Sequence, residues 1–494
     1  MKDFFFWMGL FPISSKLLSK ENITVKNHDA STPPQKTKMK LMLLLLCLGV
    51  MSGAVPGFVS FSEAEILSLE QAVKAAQHYD PWLVQNKHSQ NAVEAKSVAA
   101  GTLPDPTVSL GLANFPTDTF AIDQEPMTQV KIGVTQMIPR GDSLQIKKHQ
   151  LKTMGSQFPY QRMDRRAKTA VTVGQLWFDV YKAQESIVLI EEDRPLFEQL
   201  ADVAEASYST TIGRTRQQDI IRAQLELTRL DDRLTMLRQK REMAAEELSG
   251  WFRGHFRREY LLDSSVEQVD AAAGFEIAGD LPEIVILEKA LYSADKQVES
   301  AELFEYFKKH PAVKAADRKI DAGKLGIDLA RQGYKPMWGV NASYGYRDDG
   351  GATGDRADFV SIGLSFDLPI FTKNRQDKDV ESAVSQVEAV KTEKWALVRK
   401  MIADFEKNKA RLQRLHERQR LFQEQLLPQM HEQAEASLTA YTNDDGDFAE
   451  VVRARIAELN ARIDALDIDV EKQKTIIRLN YFFMNNAEDI IATN

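Results

Sequence analysis

The sequence predicts a mostly α-helical protein with a small β part, built as two tandem repeats of helix, strand, strand, helix and helix. Three observations predict it. The first is that the chain is written twice: Pro81, Ala92, Ala100, Pro106, Val130, Ile132, Gly133, Pro139, Ala206 and Ser207, each moved forward by roughly 230 positions, land on Pro311, Ala322, Ala330, Pro336, Val360, Ile362, Gly363, Pro369, Ala436 and Ser437. The second is a pair of short apolar-polar alternations in each copy. The third is a set of long stretches with apolar residues at steps of three and four, as in helices packed side by side. A unit this long is too large for one solenoid turn and reads as a duplicated half-protein, the kind of duplication that builds barrels, pores and transporters.

Ahead of the first repeat, Lys36, Lys38 and Lys40 precede an apolar run from Leu41 to Phe61 containing Cys47. Gly53, Pro56 and Gly57 interrupt the run, and Ser62-Glu63-Ala64 offers a small-x-small cleavage site, so it reads as a secretory signal. A spanning anchor is the rival reading, since about 20 apolar residues cross a bilayer. Leu44, Leu45 and Leu46 before the cysteine argue against lipidation, which wants a small residue there. The divisions expected are a non-native upstream extension over 1–38, with Met39 as the true start, and the signal over 39–64. The first repeat then runs over 65–253, an insertion over 254–282, the second repeat over 283–485 and a tail over 486–494.

Within the repeats, Leu69 to Ala100 reads as a helix ending before Gly101 and Pro104. Two strands follow. Val108, Leu110 and Leu112 alternate with Ser109 and Gly111, then Val130, Ile132 and Val134 with Lys131, Gly133 and Thr135. The second copy repeats this with Trp338, Val340, Ala342, Tyr344 and Tyr346 against Asn341, Ser343 and Gly345, then Val360, Ile362, Leu364 and Phe366 against Ser361, Gly363 and Ser365. One face is apolar and the other small and polar, as a membrane barrel with a wet lumen requires, and Trp338, Tyr344 and Tyr346 suit an interfacial girdle. A pair of soluble hairpins would show the same alternation, and four strands cannot close a barrel alone. Long helices are expected over Ser143–Ser209, Thr215–Phe252, Glu283–Arg331, Arg375–Thr439 and Asp447–Phe483. Ala223, Leu227, Leu230, Leu234 and Leu237, and Val452, Ile456, Leu459, Ile463, Leu466 and Val470, form coiled-coil seams.

Composition excludes several functions. The net charge of −8, with no Lys/Arg-rich run, leaves no basic footprint for nucleic acid. The scattered histidines include no pair at ligand spacing, and no cysteine remains after signal removal, so no metal or cofactor site is expected. No nucleophile elbow or phosphate loop is present, and the chain reads as a non-enzyme. Asn443-Asp444-Asp445-Gly446-Asp447 lacks the spacing of a calcium loop and reads as a solvated turn between helices. The duplication adds a sharper reading: Asp219 and Arg222 align with Glu450 and Arg453, just past a helix-helix turn in each copy. In a symmetric assembly such carboxylates form a ring that favours cations and is locked by the arginines.

Leu103-Pro104-Asp105-Pro106 opening the first strand, Met137-Ile138-Pro139 and Asp367-Leu368-Pro369-Ile370-Phe371 closing the return strands, Leu427-Pro428 ahead of Ala440-Tyr441, and Phe448-Ala449-Glu450-Val451-Val452-Arg453-Ala454-Arg455 together resemble the TolC family of outer-membrane efflux ducts. The resemblance covers nearly all of Leu67 to Phe483. It implies a homotrimer whose twelve strands close one transmembrane β-barrel in the outer membrane, continuous with a long periplasmic α-helical barrel. It also implies a periplasmic adaptor (membrane fusion protein) and an inner-membrane pump of the resistance-nodulation-division type. Asp444 stands where many members have glycine. The segment Leu103–Met137 looks most like members linked to heavy-metal cation pumps. On this reading Val108, Leu110, Leu112, Val130, Ile132, Val134, Trp338, Val340, Tyr344, Val360, Ile362, Leu364 and Phe366 face lipid, and Ser109, Lys131, Thr135, Asn341, Ser343, Ser361 and Ser365 face the lumen. Asp219, Arg222, Asp444, Asp445, Asp447, Glu450 and Arg453 form the periplasmic gate. A structural coiled-coil spacer of the envelope, with no channel, is the alternative.

Overall fold

A computed structural model describes residues 66–209, 217–252, 275–292, 299–349, 354–443, 446–484 and 487–493. The expected upstream extension, the signal with Cys47, most of the 254–282 insertion, and Asp444 and Asp445 lie outside the described residues.

A short strand β1 (Ile66–Leu67) leads into helix α1 (Leu69–His78), whose Ser68 forms a reciprocal capping box with Gln71. Helix α2 (Pro81–Ala100) follows. The single helix expected over Leu69–Ala100 is thus two, because Pro81 removes a donor and Asp80 caps the new start by accepting from Trp82 N at 3.0 Å. Strands β2 (Thr107–Ala113) and β3 (Gln129–Ile138) pair antiparallel, and helices α3 (Ser143–Gly155), α4 (Gln157–Ser209) and α5 (Gln217–Ser249) complete the first repeat. The break between α3 and α4 at Ser156 lies just ahead of Pro159, which cannot donate back to the carbonyl of Gly155.

The largest departure from the expected helices is in the second repeat, where the described residues of Glu283–Arg331 are α-helical only over α6 (Ser300–Phe307) and α7 (Pro311–Arg331), with a short 3-10 helix at Lys289–Tyr292. The backbone before α6 is engaged elsewhere. Strand β4 (Glu276–Ile277) pairs parallel with β1, Ile284 N donates to Gln473 Oε1 at 3.0 Å, Val285 N to Ala492 O at 2.8 Å and Leu287 N to Asn480 Oδ1 at 2.9 Å. These long-range bonds replace the intrahelical ladder.

Strands β5 (Trp338–Tyr346) and β6 (Phe359–Phe366) then lead to helices α8 (Gln376–Leu421), α9 (Leu427–Thr442) and α10 (Phe448–Asn480). A π-helical stretch over Phe422–Leu426 joins α8 to α9 just before Pro428, so the expected single helix over Arg375–Thr439 carries a proline-induced irregularity.

The four long strands form one antiparallel sheet in the order β2-β3-β5-β6, joining both repeats across β3 and β5. Beneath it, α3 packs on α2 and α7, and α7 on α8. Further down, α4 packs on α5 and α10, and α10 on α9. The main core lies where the helices converge with the C-terminal segment: Trp177 and Phe178 of α4, Phe307 of α6 and Phe405 of α8 are buried there against Phe482. Two smaller clusters follow the seams, one with Ile187, Ile190, Leu230, Leu234 and Leu459, the other with Leu200, Ala204, Ala223, Phe448, Val451 and Val452. At 1.5 Å per residue, α4 spans about 80 Å.

Candidate functional site: a two-faced sheet and a helical tip

The ladder fixes which side chains share a face. Val108 pairs with Val134, Ile132 with Tyr344 and Tyr344 with Val360, while Leu110 pairs with Ile132, Ala342 with Ile362 and Trp338 with Phe366. All the apolar alternates therefore stand on one side of the sheet, since side chains directly opposite in a ladder project together. Leu110 and Ile362 are each 78 % exposed, so nothing described in the chain covers this side. Trp338 and Phe366 meet at a tilt, ring centres 4.8 Å apart, at its helical end, and Tyr344 and Tyr346 stand near the other. Aromatic residues at both ends of an apolar band are what a bilayer's two interfaces select.

The opposite side holds Ser109, Lys131, Thr135, Asn341, Ser343, Ser361 and Ser365 in cross-strand rows with glycines. The glycines give these side chains room to lie over the backbone: a Cβ on Gly133 would come 2.8 Å from Ser109 Oγ, and one on Gly363 2.5 Å from Asn341 Oδ1. Among the described residues, β2 and β6 have no strand on their outer edges, so the sheet ends on two rows of backbone groups without ladder partners.

Where sheet meets helices, the repeats are clipped together. Arg140 pairs with Asp367 and donates to Lys335 O at 2.7 Å, while Asp367 Oδ1 accepts from Met337 N at 2.7 Å and Lys335 bridges to Asp142 at 3.0 Å. Gly141 between them has φ +45°, where a Cβ would also strike Lys335.

At the far end of the helices, the residues picked out by the duplication have unequal surroundings. Glu450 and Arg453 form an exposed pair within α10, and Arg222 is exposed on α5. Asp219, the counterpart of Glu450, is only 5 % exposed, and the Asp447 carboxylate caps α10 by accepting from Ala449 N at 3.2 Å. Gly446 is required in this turn: a Cβ there would sit 2.6 Å from Tyr441 N. Tyr441 then meets Phe448 edge-on at 5.6 Å.

A neighbouring cluster around Arg455, which the sequence offers only as the end of a motif, is not among the expected gate residues. Arg455 of α10, buried along its length, pairs with Glu435 of α9 and with Glu458 at 2.8 Å, while His431 Nδ1 lies 2.7 Å from Glu458 Oε1. The Arg455 guanidinium holds the Glu435 carboxyl below the usual range. These charges lock α9 to α10 a few turns above the tip. Along the wall, α10 meets α4 through Lys474–Asp179 at 2.6 Å, Arg462–Asp193 at 2.8 Å and Lys182–Asp467.

The described residues thus set a sheet with one bare apolar face and one polar face on a bundle of long helices. Residues 305–480, most of the second repeat, match the family model of the outer membrane efflux proteins. No curated protein sequence matches the chain. Among solved structures it is similar to the outer-membrane channel OprN, with a TM-score of 0.65 at 13 % identity over 85 % of this chain and 90 % of that one. It is likewise similar to CusC, with 0.64 at 13 % over 87 % and 96 %, and to the Campylobacter jejuni CmeC outer membrane channel, with 0.64 at 12 % over 88 % and 93 %. The chain therefore shares the fold of the outer membrane efflux channels over most of its length, and residues 305–480 carry that family's sequence pattern.

Proposed function

We propose that three copies of this chain close a single barrel in the outer membrane and that their helices continue it as a tunnel through the periplasm. The chain is then a passive duct, taking cargo from a periplasmic adaptor and an inner-membrane resistance-nodulation-division pump. The observation that carries this reading is the sheet: an uncovered apolar face suits lipid, a small polar face suits a water-filled lumen, and two open edges need strands from further copies. In that assembly the apolar residues from Val108 to Phe366 meet lipid and the polar row from Ser109 to Ser365 lines the channel. The exposed Glu450–Arg453 pairs, together with Arg222, Asp447 and the neighbouring acidic residues, stand at the periplasmic mouth. The two repeats occupy 65–253 and 283–485. No helix among the described residues is long and apolar enough to cross a membrane.

The cargo is set by the pump. The likeness of Leu103–Met137 to members linked to heavy-metal cation pumps makes metal cations our reading of it. The described residues hold no cluster of three or more His, Cys, Asp or Glu placed to bind a metal.

The test is the detergent-purified protein. Mass measurement should give a trimer, and planar bilayers should show cation-preferring current. A monomer soluble without detergent, or a trimer with no conductance, would leave the envelope spacer as the better account.

A further inference from the structure

A recess of about 730 Å³ lies where α3, α7 and α8 meet beneath the sheet. Each helix gives it one stripe, including Lys147, Gln150 and Met154 from α3, Gly326 and Ala330 from α7, and Val387 from α8. Spacings of three and four along each helix run the stripes parallel to the axes, so the recess is a trough on the order of 15–20 Å long. Its floor is low because α7 offers glycine and alanine: a Cβ on Gly326 would meet the tip of Gln150 at 2.8 Å.

The side on which the trough opens follows from the strands. Pro139 and Met337 line it, and they continue the rows of Met137 and Gly339 on the polar face of the sheet. Pairing persists there, since Asp367 N donates to Met337 O at 3.3 Å. On the duct reading, the trough opens into the lumen directly below the barrel.

Its chemistry is that of a small-molecule site, an apolar surface with a few placed polar groups. Three cations, Arg140, Lys147 and Lys319, line it against one carboxylate, Asp379. Arg140 is committed to Asp367, and Lys319 to Glu393 at 2.8 Å. Lys147 donates to the neutral Gln150 Oε1 at 3.1 Å and has no ion-pair partner among the described residues. We propose that this trough binds small amphiphilic anions, the apolar body lying along Ala330, Val387 and Met154 and the acidic head meeting Lys147. The duct would then have a selective foothold in its wall, a property distinct from the cation preference of its mouth. The proposal rests on the duct reading only for the side on which the trough opens.

The test is equilibrium dialysis of naphthalene-2-sulfonate with the purified protein in phosphatidylcholine nanodiscs, using empty discs as the blank. Saturable binding is expected, weakened about fivefold by Lys147→Gln, kept by Lys147→Arg and lost in Gly326→Leu. The same-sized cation 2-naphthylmethylammonium should not bind. Equal binding of cation and anion, or binding untouched by Lys147→Gln, overturns the proposal. Bilayer recordings separate the two readings. Current without Lys147-dependent binding sinks the trough alone; Lys147-dependent binding without current sinks the duct and leaves the trough standing.

Discussion

Asp80 and His310 occupy the same place in the two repeats: each is buried, each precedes a proline, and each caps the helix that follows, α2 through a carboxylate and α7 through imidazole Nδ1. The duplication has kept the geometry and changed the chemistry. Asp80 is answered by Arg165 at 2.6 Å, while His310 Nε2 donates to Tyr481 O at 3.1 Å, with Nδ1 accepting from Ala312 N at 3.2 Å. That bonding fixes the neutral tautomer.

Acid should therefore weaken the second repeat. Burial is the main cause that lowers the His310 pKa to about 4, against an opposing pull from Asp164, whose carboxylate also accepts from Tyr481. Because the folded value lies below the unfolded one of 6.5, the stabilisation is complete above pH 6.5 and is lost as pH falls toward 4. It amounts to roughly 3 kcal/mol per chain. Thermal melts from pH 7.5 to 4 should show a drop that flattens in His310→Asn; an unchanged slope in the variant would refute the assignment.

Asn480 should be among the most costly single side chains to lose. Fully buried, it accepts from Leu287 N and donates to Val285 O at 2.8 Å and Ile490 O at 3.2 Å, tying three segments together. Asn480→Leu keeps the size and strands those groups, at an expected cost of about 3 kcal/mol or more. Denaturant unfolding measures it, and a loss below about 1 kcal/mol would show that water takes over the bonds.

The faces of the sheet predict opposite outcomes for one chemical change. Ile362→Lys places a charge on the apolar face, at an expected cost of about 2–4 kcal/mol if that face meets mid-bilayer lipid. Ser361→Lys, one residue away on the polar face, should assemble normally and alter ion selectivity. Heat-modifiable mobility on gels together with single-channel recording separates the two.

At the tip, Glu450→Gln removes the partner of Arg453 and should raise the frequency of open events. Gly446→Ala forces the turn away from Tyr441 N and should displace the edge-on Tyr441–Phe448 contact, read as a change in tyrosine fluorescence and gating. Unaltered recordings in both variants would remove the tip from the gate.

Much of this was legible in the chain. Alternation at Val108–Leu112 and Val360–Phe366 locates strands because a one-residue slip would turn every apolar side chain over. Seams such as Leu230–Leu234 locate packed helices. The stretch 283–288 is not the helix its sequence predicts, because its backbone donors at Ile284, Val285 and Leu287 answer to Gln473, Ala492 and Asn480, partners about two hundred residues away that no local pattern announces. At the tip, spacing found Glu450 with Arg453, but the burial of Asp219 and the Arg455 cluster depend on neighbouring helices and left no periodic trace.

The uncapped outer edges of Thr107–Ala113 and Phe359–Phe366 also bear on inheritance. On the proposed trimer these edges find partners only on sibling copies, and a lone chain could not enter hydrocarbon, because each orphaned amide or carbonyl costs several kcal/mol there. If the ring forms as proposed, a defective copy carrying a proline on either border strand would poison every mixed ring it joined, so one faulty allele beside a healthy one should be dominant.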